Sequence, residues 1–474
     1  MLNIGLLSFF DEDEGGKYTI ASLRIAASLL DMDNVSVEII PIPINICDEH
    51  LLSEIDKINN SDFEVIGMSA YVWTWEKIRK ISLGLNRDKI KAVLVGGPEI
   101  QNSIRSDWYG DELFSYGEGE LFTREICKLL IEGANIQDIH QMQKIANAEK
   151  KDDIYIIEKD GELYNSIPIY TFDNLKKLKI EDFCTDYCFY ETTRGCPYKC
   201  GYCGHKFRQI PVTFDKSILE NEIRFFGEVG LKRIFIVDPI LGGTPKRGKE
   251  ILSMFNKYAP NTKITSFLRP EYLDDEYLEL LSRSSIEELR FGIQTINESV
   301  PNWIRANNIS KILKILPLLT STGIPWRAEL IVGLPGDDIY GLKRSIEFVI
   351  KEVHPTYLHA YHLSVLKETE MYSLLNNPGD KWIKIYEDTM RAKESYSYSE
   401  KELIWMVQYA VLITALYNMY ASVDEITGKA INEAPEFAEL EKTVMEHMGE
   451  FVSKGLIHYS DGEKYWAKVK SSDN

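Results

Sequence analysis

The stretch ETTRGCPYKCGYC, residues 191–203, holds three of the seven cysteines of this chain in the spacing C-x3-C-x2-C. Thiolates are soft ligands that suit iron–sulfur clusters, and a [4Fe–4S] cube normally takes four of them. Cys196, Cys200 and Cys203 would hold three irons and leave the fourth open to a substrate or cofactor. The spacing therefore predicts a [4Fe–4S] cluster with one open iron at this loop.

A structural zinc site is the alternative, and it needs four ligands, usually in two pairs. His205 follows Cys203 so closely that it makes an awkward fourth ligand, and no second pair comes after it. Cys184 and Cys188 form a pair upstream, but a strand of about seven residues would separate them from Cys196 and put the two pairs at its opposite ends. We interpret Cys184 and Cys188 as small buried hydrophobic residues instead.

The cysteine loop follows the first strand of a series in which strands alternate with helical patterns. The first strand covers residues 189–195, and five more are predicted at 233–238, 263–269, 288–294, 327–334 and 357–364. Six such units are too few to close an eight-stranded barrel, so the pattern predicts a partial (βα)6 barrel. We expect the chemistry at the carboxyl ends of its strands, where the cysteine loop lies.

Residues 1–140 form another strand–helix series, whose apolar strands predict a doubly wound, Rossmann-like parallel sheet. The predicted strands are residues 2–10, 35–44, 63–73, 91–99 and 112–120. Ligands of such sheets bind beyond the carboxyl ends of the strands.

The remaining boundaries follow from these two series. Residues 141–187 are predicted to be a linker with a hairpin around Asp160–Gly161, and residues 188–372 the barrel. Residues 373–474 are predicted to be a mainly helical cap or substrate-selecting domain, which ends in a short strand at 464–469.

Composition limits the partners and the compartment. Of the 474 residues, 44% are hydrophobic and 27% charged, which is typical of a globular protein. The net charge of −19 argues against a nucleic-acid backbone or an anionic membrane as the main partner. The apolar segment 404–421 contains Gln408, Thr414 and Asn418, which favour a core helix over a membrane span. Clustered, unevenly numbered cysteines and the lack of a basic leader predict a cytoplasmic protein.

Three motifs, in this order along the chain, resemble those of radical S-adenosylmethionine (SAM) enzymes. They are CPYKCGYC at 196–203, FGIQTIN at 291–297 and AELIVGLPG at 328–336. The resemblance implies that the open iron binds the amino and carboxylate groups of SAM. It assigns Tyr202 to the adenine, Gln294 and Glu329 to the ribose, and Arg305 to the SAM carboxylate. We add Arg269, at the end of the third barrel strand, as a further SAM contact.

One element departs from this family. A glycine-rich segment with an acidic residue normally follows the second barrel strand and binds the SAM amino group. In VDPILGG, residues 237–243, the glycines come later and no acidic residue follows them. The contact to the SAM amino group is therefore left unassigned.

The first domain is similar to the cobalamin-binding domain that precedes the barrel in B12-dependent radical SAM enzymes. The similarity lies in MSAYVWTW (68–75), VLVGGPE (93–99) and YGEGE (116–120). It implies a cobalamin site formed by Ser69, Ala70, Tyr71, Trp73, Gly96, Gly97, Pro98, Glu99, Tyr116, Gly117, Glu118, Gly119 and Glu120.

The front domain also departs from two related patterns. The histidine of the cobalt-binding D-x-H-x-x-G signature is missing, since no histidine precedes His50. Tyr71 and Trp73 are therefore candidates beside the lower cobalt face. Methylthiotransferases share the domain order but need three cysteines in the first domain, where this chain has only Cys47 and Cys127.

The resemblance implies reductive cleavage of SAM to a 5′-deoxyadenosyl radical, which abstracts hydrogen from an unactivated carbon. Methyl transfer from methylcobalamin to that carbon is the expected outcome. Radical cyclisation, ring contraction or another rearrangement is an alternative, and a non-catalytic iron–sulfur or cobalamin sensor is another. The expected partners are a small-molecule or peptide substrate and a one-electron reductant such as flavodoxin or ferredoxin.

Four side chains near the predicted strand ends face the mouth of the barrel and are candidates for substrate binding or proton transfer. They are Arg327, His359, Tyr361 and His362. Because side chains alternate along a strand, we expect one of the last three to point outward.

Overall fold

The computed structural model describes residues 1–11, 16–71, 73–100, 111–115, 118–135, 139, 167–180, 183–207, 210–305, 307–367, 369–377, 379–387, 389–425 and 427–472. The chain divides into two compact units. The first unit comprises residues 1–192, 212–235 and 257–262, and the second comprises residues 193–211, 236–256 and 263–474.

A five-stranded sheet forms the amino-terminal part of the first unit. Its strands are β1 (Leu2–Phe10), β2 (Val35–Pro43), β3 (Val65–Ser69), β4 (Ala92–Gly96) and β5 (Leu113–Phe114). The helices are α1 (Ile20–Leu29), α2 (Asp48–Asn60), α3 (Trp75–Gly84) and α4 (Gly119–Ile131). The strand order is β2-β1-β3-β4-β5, and all neighbouring strands run parallel.

The helices pack in two pairs, α1 with α4 and α2 with α3, as expected for helices on the two faces of a doubly wound sheet. One buried cluster contains strand residues such as Ile66 and Val95 together with the helix residues Ile55 and Ile78. Each buried aliphatic side chain of this size contributes roughly 1.5–3 kcal/mol. The predicted doubly wound sheet is confirmed.

A second sheet has six strands, in the order β13-β12-β11-β10-β9-β6. These are β6 (Cys188–Tyr190), β9 (Arg233–Ile236), β10 (Lys263–Leu268), β11 (Ile286–Gln294), β12 (Trp326–Val332) and β13 (Tyr357–His362). The two short strands β7 (Thr193–Arg194) and β8 (Val212–Thr213) lie outside it. The pairs β10–β11, β11–β12 and β12–β13 are parallel.

Helices separate the strands of the second sheet, as in a (βα)6 series. They are α6 (Lys216–Glu228), α7 (Pro245–Tyr258), α8 (Asp275–Arg283), α9 (Ile309–Ser321) and α10 (Ile339–Phe348), with the short α5 (Phe172–Lys177) before β6. Short 3₁₀ helices occur at Gly204–Phe207, Pro270–Tyr272 and Glu370–Asn376, and α10 continues into a π-helical turn at Val349–Val353. The six strands and their order agree with the predicted partial barrel.

The carboxy-terminal part of the second unit is mainly helical, as predicted. Its helices are α11 (Glu400–Asn418), α12 (Phe437–Ser453) and α13 (Tyr459–Ser472). Two antiparallel hairpins also occur there, β14 (Ile383–Ile385) with β15 (Ala392–Ser395), and β16 (Ala421–Val423) with β17 (Ala430–Asn432). The buried helix α11 packs against β13, α12 and α13.

The prediction of a strand at residues 464–469 is wrong, because these residues lie in α13. Tyr465 and Trp466 are both buried, and the Trp466 indole N–H donates to the Leu412 carbonyl of α11 at 2.9 Å. Adjacent buried aromatics fit the side of a helix that packs on another helix. On a strand they would point to opposite faces.

Several predicted strands are shorter than expected. β3 ends at Ser69, so Tyr71 and Trp73 follow the strand rather than lying on it, and β5 has only two residues. Gly119 and Glu120 begin α4 instead of continuing a strand. The predicted hairpin at Asp160–Gly161 lies outside the described residues.

The segment 404–421 begins inside α11, and thirteen residues of that helix are buried. Within the described parts of the chain, no helix combines the length and the apolar character that a bilayer crossing requires. The interpretation of this segment as a core helix is therefore confirmed.

Candidate active site

The cysteine loop, residues 196–203, is fixed through the backbone of Gly201. The Gly201 amide donates to the carbonyls of Trp303 (3.0 Å) and Ile304 (3.2 Å), and its carbonyl accepts from the Met371 amide at 3.0 Å. Cys196, Cys200 and Cys203 are free, half-buried thiols. The loop thus has a set conformation and carries three thiols that form no disulfide.

The six-membered ring of Trp303 lies directly against Gly201. A Cβ atom added at Gly201 would come within 2.4 Å of the ring atoms Cε3 and Cζ3, which no real Cβ contact tolerates. Trp303 keeps 39% of its surface exposed. Sequence analysis missed this residue, because the sequence around position 303 does not distinguish an exposed tryptophan beside the loop from a tryptophan buried in the core.

Arg305 joins the cysteine loop to the end of β11. Its Nη1 lies 3.5 Å from the Cys200 Sγ, its Nη2 donates to the Gly292 carbonyl, and its Nε donates to the Asn307 Oδ1 at 3.0 Å. Arg305 is 8% exposed. A nearly buried guanidinium at this position is well suited to bind a carboxylate beside the loop.

Gln294 ends β11 at a bulge and has a φ of 68°, which is rare for a residue other than glycine. Its side-chain oxygen Oε1 is buried and has no hydrogen-bond partner. Its amide nitrogen covers Gly292, where a Cβ atom would come within 2.2 Å. A buried acceptor without a donor costs free energy unless a ligand supplies one, so this atom fits a ligand that carries hydroxyl groups.

Arg269 and Tyr202 also lie beside the cysteine loop. The Arg269 guanidinium makes a bidentate ion pair with Glu271, at 3.0 and 3.1 Å, and lies 3.7 Å above the Tyr198 ring. Burial raises the pKa of Tyr202, and the positive charge of Arg305 opposes that shift. The structure therefore brings Tyr202, Arg269 and Arg305 to the same loop.

A cavity of 610 Å³ connects this loop with the surface. It is lined by Tyr198, Lys199, Cys200, Arg269, Asn302, Trp303, Arg305, Glu370 and Ser373. Arg269 and Arg305 are buried, whereas Lys199, Asn302, Trp303, Glu370 and Ser373 are exposed. We call these five exposed residues the outer rim.

The residues of the loop fit an iron–sulfur cluster. Burial raises the pKa of the Cys196 and Cys203 thiols, so iron would have to displace their protons. Among the described residues, no three Cys, His, Asp or Glu side chains converge as the ligands of one metal ion do. The three thiolates of a cube bind three different irons, so a cube does not require such convergence.

A charged row crosses the three strands β11, β12 and β13. The Glu288 carboxylate contacts the Arg290 Nε at 2.7 Å and the Arg327 Nη2 at 2.6 Å. Glu329 is paired in register with Gly292 on one side and His359 on the other. Burial raises the pKa of Glu329, while Arg290 and Arg327 oppose that shift.

Sequence analysis named Arg327, Glu329 and His359 but missed Glu288 and Arg290. Both lie on the predicted strand 288–294, where they alternate with the apolar residues Leu289 and Phe291. That alternation places them on the same strand face as Gly292 and Gln294, and it was the signal that could have found them.

His359 is held by Arg327 and by two tyrosines. Its Nδ1 lies 3.4 Å from the Arg327 Nη1 and 3.3 Å from the Tyr361 hydroxyl, and its ring packs on Tyr459 with centroids 4.2 Å apart. Burial, reinforced by the positive charges of Arg327 and Arg290, lowers the pKa of His359 to about 3. The ring is therefore neutral at physiological pH. Tyr459 begins α13, and its distance in sequence from β13 gave no hint of this contact.

His362 does not share this surface. Its Nε2 contacts the Ala392 carbonyl at 2.8 Å, at β15, and burial lowers its pKa to about 4. His359 and Tyr361 lie on one side of β13 and His362 on the other, which confirms that one of the three points away.

The segment after β9 has a structural use for its acidic residue. Asp238 is fully buried, and its carboxylate accepts from the Thr193 amide at 3.0 Å and the Gly242 amide at 2.9 Å. Gly242 and Gly243 both have positive φ values, 68° and 67°. Asp238 thus fixes the turn, and the contact to the SAM amino group stays unassigned.

In the first unit, the predicted cobalamin residues from Ser69 to Trp73 and from Gly96 to Glu99 lie at the carboxyl ends of β3 and β4. The rings of Tyr71 and Trp73 stack with centroids 5.1 Å apart, and Trp73 is 61% exposed. The Ala70 amide donates to the Gly96 carbonyl, and the Ala70 carbonyl accepts from the Glu99 amide. Ser69 and Pro98 adjoin these residues in the chain.

Gly97 lies at a point of this edge where the backbone leaves no room for a side chain. It has a φ of 100°, and a Cβ atom there would lie 2.5 Å from the Ala70 carbonyl oxygen. At Gly96 the nearest atom to such a Cβ is 3.6 Å away. Glu118 precedes α4 without a side-chain capping hydrogen bond, and Gly119 and Glu120 begin that helix. Tyr116 and Gly117 lie outside the described residues.

Comparison with known proteins agrees with this geometry. Residues 190–349 match the Radical SAM superfamily. The "Cobalamin-dependent radical SAM methyltransferase TokK" of Streptomyces tokunonensis is 23% identical over 331 residues, which are 64% of this chain and 47% of TokK. The chain thus spans about half the length of this curated relative.

Two solved structures share the fold over nearly the whole chain. The radical SAM methyltransferase TsrM from Kitasatospora setae has a TM-score of 0.59 at 12% identity, covering 94% of this chain and 89% of TsrM. The cobalamin-dependent radical enzyme OxsB has a TM-score of 0.63 at 14% identity, covering 95% of this chain and 72% of OxsB.

The matched superfamily explains why three cysteines share one loop, since its members bind a [4Fe–4S] cluster and SAM. The five-stranded sheet that precedes the matched region and the helices that follow it are included in the structural likeness to TsrM and OxsB. Residues 190–349 therefore form a radical SAM domain, and the chain has the fold that TsrM and OxsB share.

Proposed function

We propose that this protein is a cobalamin-dependent radical SAM enzyme that methylates an unactivated carbon of a small molecule or peptide. When bound, the cluster supplies the electron that cleaves SAM, and cobalamin supplies the methyl group. One electron enters through a reductant such as flavodoxin or ferredoxin for each SAM cleaved. The residues of the chain bind and orient these groups and keep water from the reacting carbon.

The observation that carries the proposal is the position of Arg305. This one guanidinium contacts Cys200 in the cysteine loop and the Gly292 carbonyl in β11. A ligand on the cluster would thus meet a carboxylate-binding group close to the unpartnered oxygen of Gln294. Amino-acid and ribose groups are what this pair of sites would bind.

The cobalamin part of the proposal rests on the first sheet. In a sheet of order 2-1-3-4-5, ligands bind at the carboxyl edge near the point where the strand order reverses. Tyr71 and Trp73 form an exposed, nearly parallel pair of rings at the end of β3. A flat macrocycle such as a corrin could pack on this pair.

The row of Glu288, Arg290, Arg327 and His359 supports a role in substrate binding. Neutral His359 can exchange hydrogen bonds with a substrate, and Arg327 and Tyr459 hold its ring in place. These groups position a carbon for hydrogen abstraction and are not needed to cleave SAM.

The test compares the wild-type protein with Cys200→Ala after anaerobic reconstitution with iron and sulfide. We expect Cys200→Ala to lose cluster iron and to form no 5′-deoxyadenosine from SAM under dithionite. Cys47→Ala is the matched control, because Cys47 is exposed and lies in the first sheet domain. Unchanged iron content and SAM cleavage in Cys200→Ala would contradict the proposal.

A second measurement addresses methyl transfer. With bound cobalamin, reductant and SAM, a methyltransferase forms S-adenosylhomocysteine, and during turnover it forms this product and 5′-deoxyadenosine in equal amounts. A rearranging enzyme forms 5′-deoxyadenosine alone, and a sensor forms neither. The product ratio therefore separates the three functions.

A further inference from the structure

The cavity beside the cysteine loop has the size and the fixed walls of a passage for a small molecule. Its volume of 610 Å³ lies within the range of about 300–1,000 Å³ that small-molecule sites occupy. Most of its lining comes from three segments of the chain, residues 198–200, 302–305 and 370–373. Gly201 ties these segments together, since its amide donates to the Trp303 carbonyl and its carbonyl accepts from the Met371 amide. Backbone hydrogen bonds therefore set the width of the cavity.

The inner end of the cavity carries a group that suits the SAM carboxylate. Arg305 lines this end together with Cys200. A guanidinium has five N–H donors, and the contacts of Arg305 within the chain use three of them. Arg269, the other arginine of the wall, is already paired with Glu271. Arg305 is therefore the arginine that has donors left for a carboxylate.

The outer rim presents no charge barrier to SAM. This molecule carries a sulfonium, an ammonium and a carboxylate group, and hence one net positive charge. Lys199 and Glu370 on the rim carry opposite charges that offset each other, and the whole chain has a net charge of −19. Trp303 keeps part of its indole ring exposed here, and the face of an indole attracts cations. A cation can therefore approach this opening.

We propose that this cavity is the passage through which SAM reaches the cysteine loop, and that the outer rim sets the rate at which SAM enters and leaves. SAM passes between Asn302 and Ser373, and its carboxylate stops at Arg305. The inference rests on the proposed function, since it requires SAM to bind beside the loop. It adds a route of access, which depends on the width of the rim and not on the residues that hold bound SAM.

The test narrows the passage and measures how fast bound SAM exchanges. Protein reconstituted anaerobically with iron and sulfide, and kept without reductant so that SAM is not cleaved, is loaded with radiolabelled SAM. It is then chased with unlabelled SAM and filtered at intervals, and equilibrium dialysis gives the Kd. We expect Ser373→Trp to slow release of the label at least about fivefold. The Kd should stay unchanged, because an obstruction slows entry and release by the same factor.

Ser321→Trp is the matched control. Ser321 and Ser373 are both exposed, and the hydroxyl of each donates to the carbonyl three residues earlier. Ser321 lies at the end of α9 and does not line the cavity, so we expect Ser321→Trp to exchange SAM at the wild-type rate. Asn302→Trp narrows the passage from another segment and should slow release as Ser373→Trp does, so the test does not depend on the folding of one variant.

The outcomes separate the passage from the binding site. Release at the wild-type rate in both Ser373→Trp and Asn302→Trp would overturn the proposal. A weaker Kd with an unchanged release rate would also overturn it, because the rim would then help to bind SAM instead of controlling its exchange. Failure of the proposed function looks different, since the wild-type protein itself would then retain no labelled SAM.

Discussion

Gly201 and Gly204 lie three residues apart at the cysteine loop, but only Gly201 is closed to a larger side chain. A Cβ atom at Gly201 would collide with the Trp303 ring at 2.4 Å, whereas at Gly204 the nearest atom lies at 3.4 Å. We expect Gly201→Ala to displace the loop, at a cost of about 1–3 kcal/mol, and to lower cluster iron. Iron analysis after reconstitution checks this, with Gly204→Ala as the control.

A compensating change sharpens this experiment. Trp303→Ala removes the colliding ring, so the double variant Gly201→Ala/Trp303→Ala should recover part of the iron that Gly201→Ala loses. Recovery should be incomplete, because the Trp303 carbonyl would still lie 3.1 Å from the new methyl group. Equal iron contents in the single and double variants would exclude the ring as the cause.

Asp337 gives a prediction about pH. It is buried, accepts hydrogen bonds from the Asn297 side chain and the Asp338 amide, and burial raises its pKa from 3.8 to about 6. Below pH 3.8 the carboxyl is protonated in both the folded and the unfolded chain, so it costs nothing. As the pH rises to about 6, ionising the buried carboxyl lowers the free energy of unfolding increasingly, by up to about 3 kcal/mol.

Asp337→Asn keeps a carbonyl acceptor and removes the charge. We expect it to melt at a higher temperature than the wild-type protein at pH 7.5 and at about the same temperature at pH 4. Thermal unfolding across this range is the measurement. A difference in melting temperature between the two proteins that is constant with pH, or that widens as the pH falls, would show that the ionised carboxyl does not destabilise the fold.

At the level of elements, α13 contacts the barrel strand β13, although the two are far apart in the sequence. Gly462 allows its close approach to α11, since a Cβ atom there would lie 2.9 Å from the Val411 carbonyl oxygen. The Trp466 indole then reaches the Leu412 carbonyl, and Tyr459 reaches His359. The last helix therefore contributes to the wall around β13 as well as to the core.

Trp466→Ala should loosen this helix, because it removes a buried ring and its hydrogen bond. We expect destabilisation of about 3–5 kcal/mol and faster proteolytic removal of the carboxy-terminal segment. Lys468→Ala, an exposed position on the same helix, serves as the control. Equal proteolysis of the two variants would mean that Trp466 does not anchor α13.

At the level of the whole molecule, the proposed cofactor sites should be separable. Gly97 has no room for a Cβ atom beside Ala70, whereas Gly96 has, at 3.6 Å from the Ser115 Cβ. We expect Gly97→Ala to lose bound cobalamin, measured from its absorption spectrum, and to keep the cluster and 5′-deoxyadenosine formation. Gly96→Ala leaves the chain contacts intact, so any loss of cobalamin there would report closeness to the ligand. Loss of cluster iron in Gly97→Ala would contradict separability.

Much of this molecule could be predicted from its sequence because the strands are apolar and regular. The strands from β1 to β4 and from β9 to β13 lie where hydrophobic runs placed them, and Arg305 lies at the cysteine loop that its spacing suggested. Predictions failed where tertiary contacts decide. Trp466 lies in a helix that packs on α11, where its indole donates to the Leu412 carbonyl. Tyr459 and Trp303 reach the site through packing that no local sequence pattern encodes.

The contact between Arg327 and His359 limits what this histidine can do. A guanidinium has hydrogens to give and no lone pair, so the imidazole nitrogen that faces it, Nδ1, must be the accepting one. The neutral ring then carries its single hydrogen on Nε2, and a guest molecule in the barrel would meet a donor there and no base. Chemistry that removes a whole hydrogen atom asks for no proton acceptor at this point, and the Nε2 of His359 offers none.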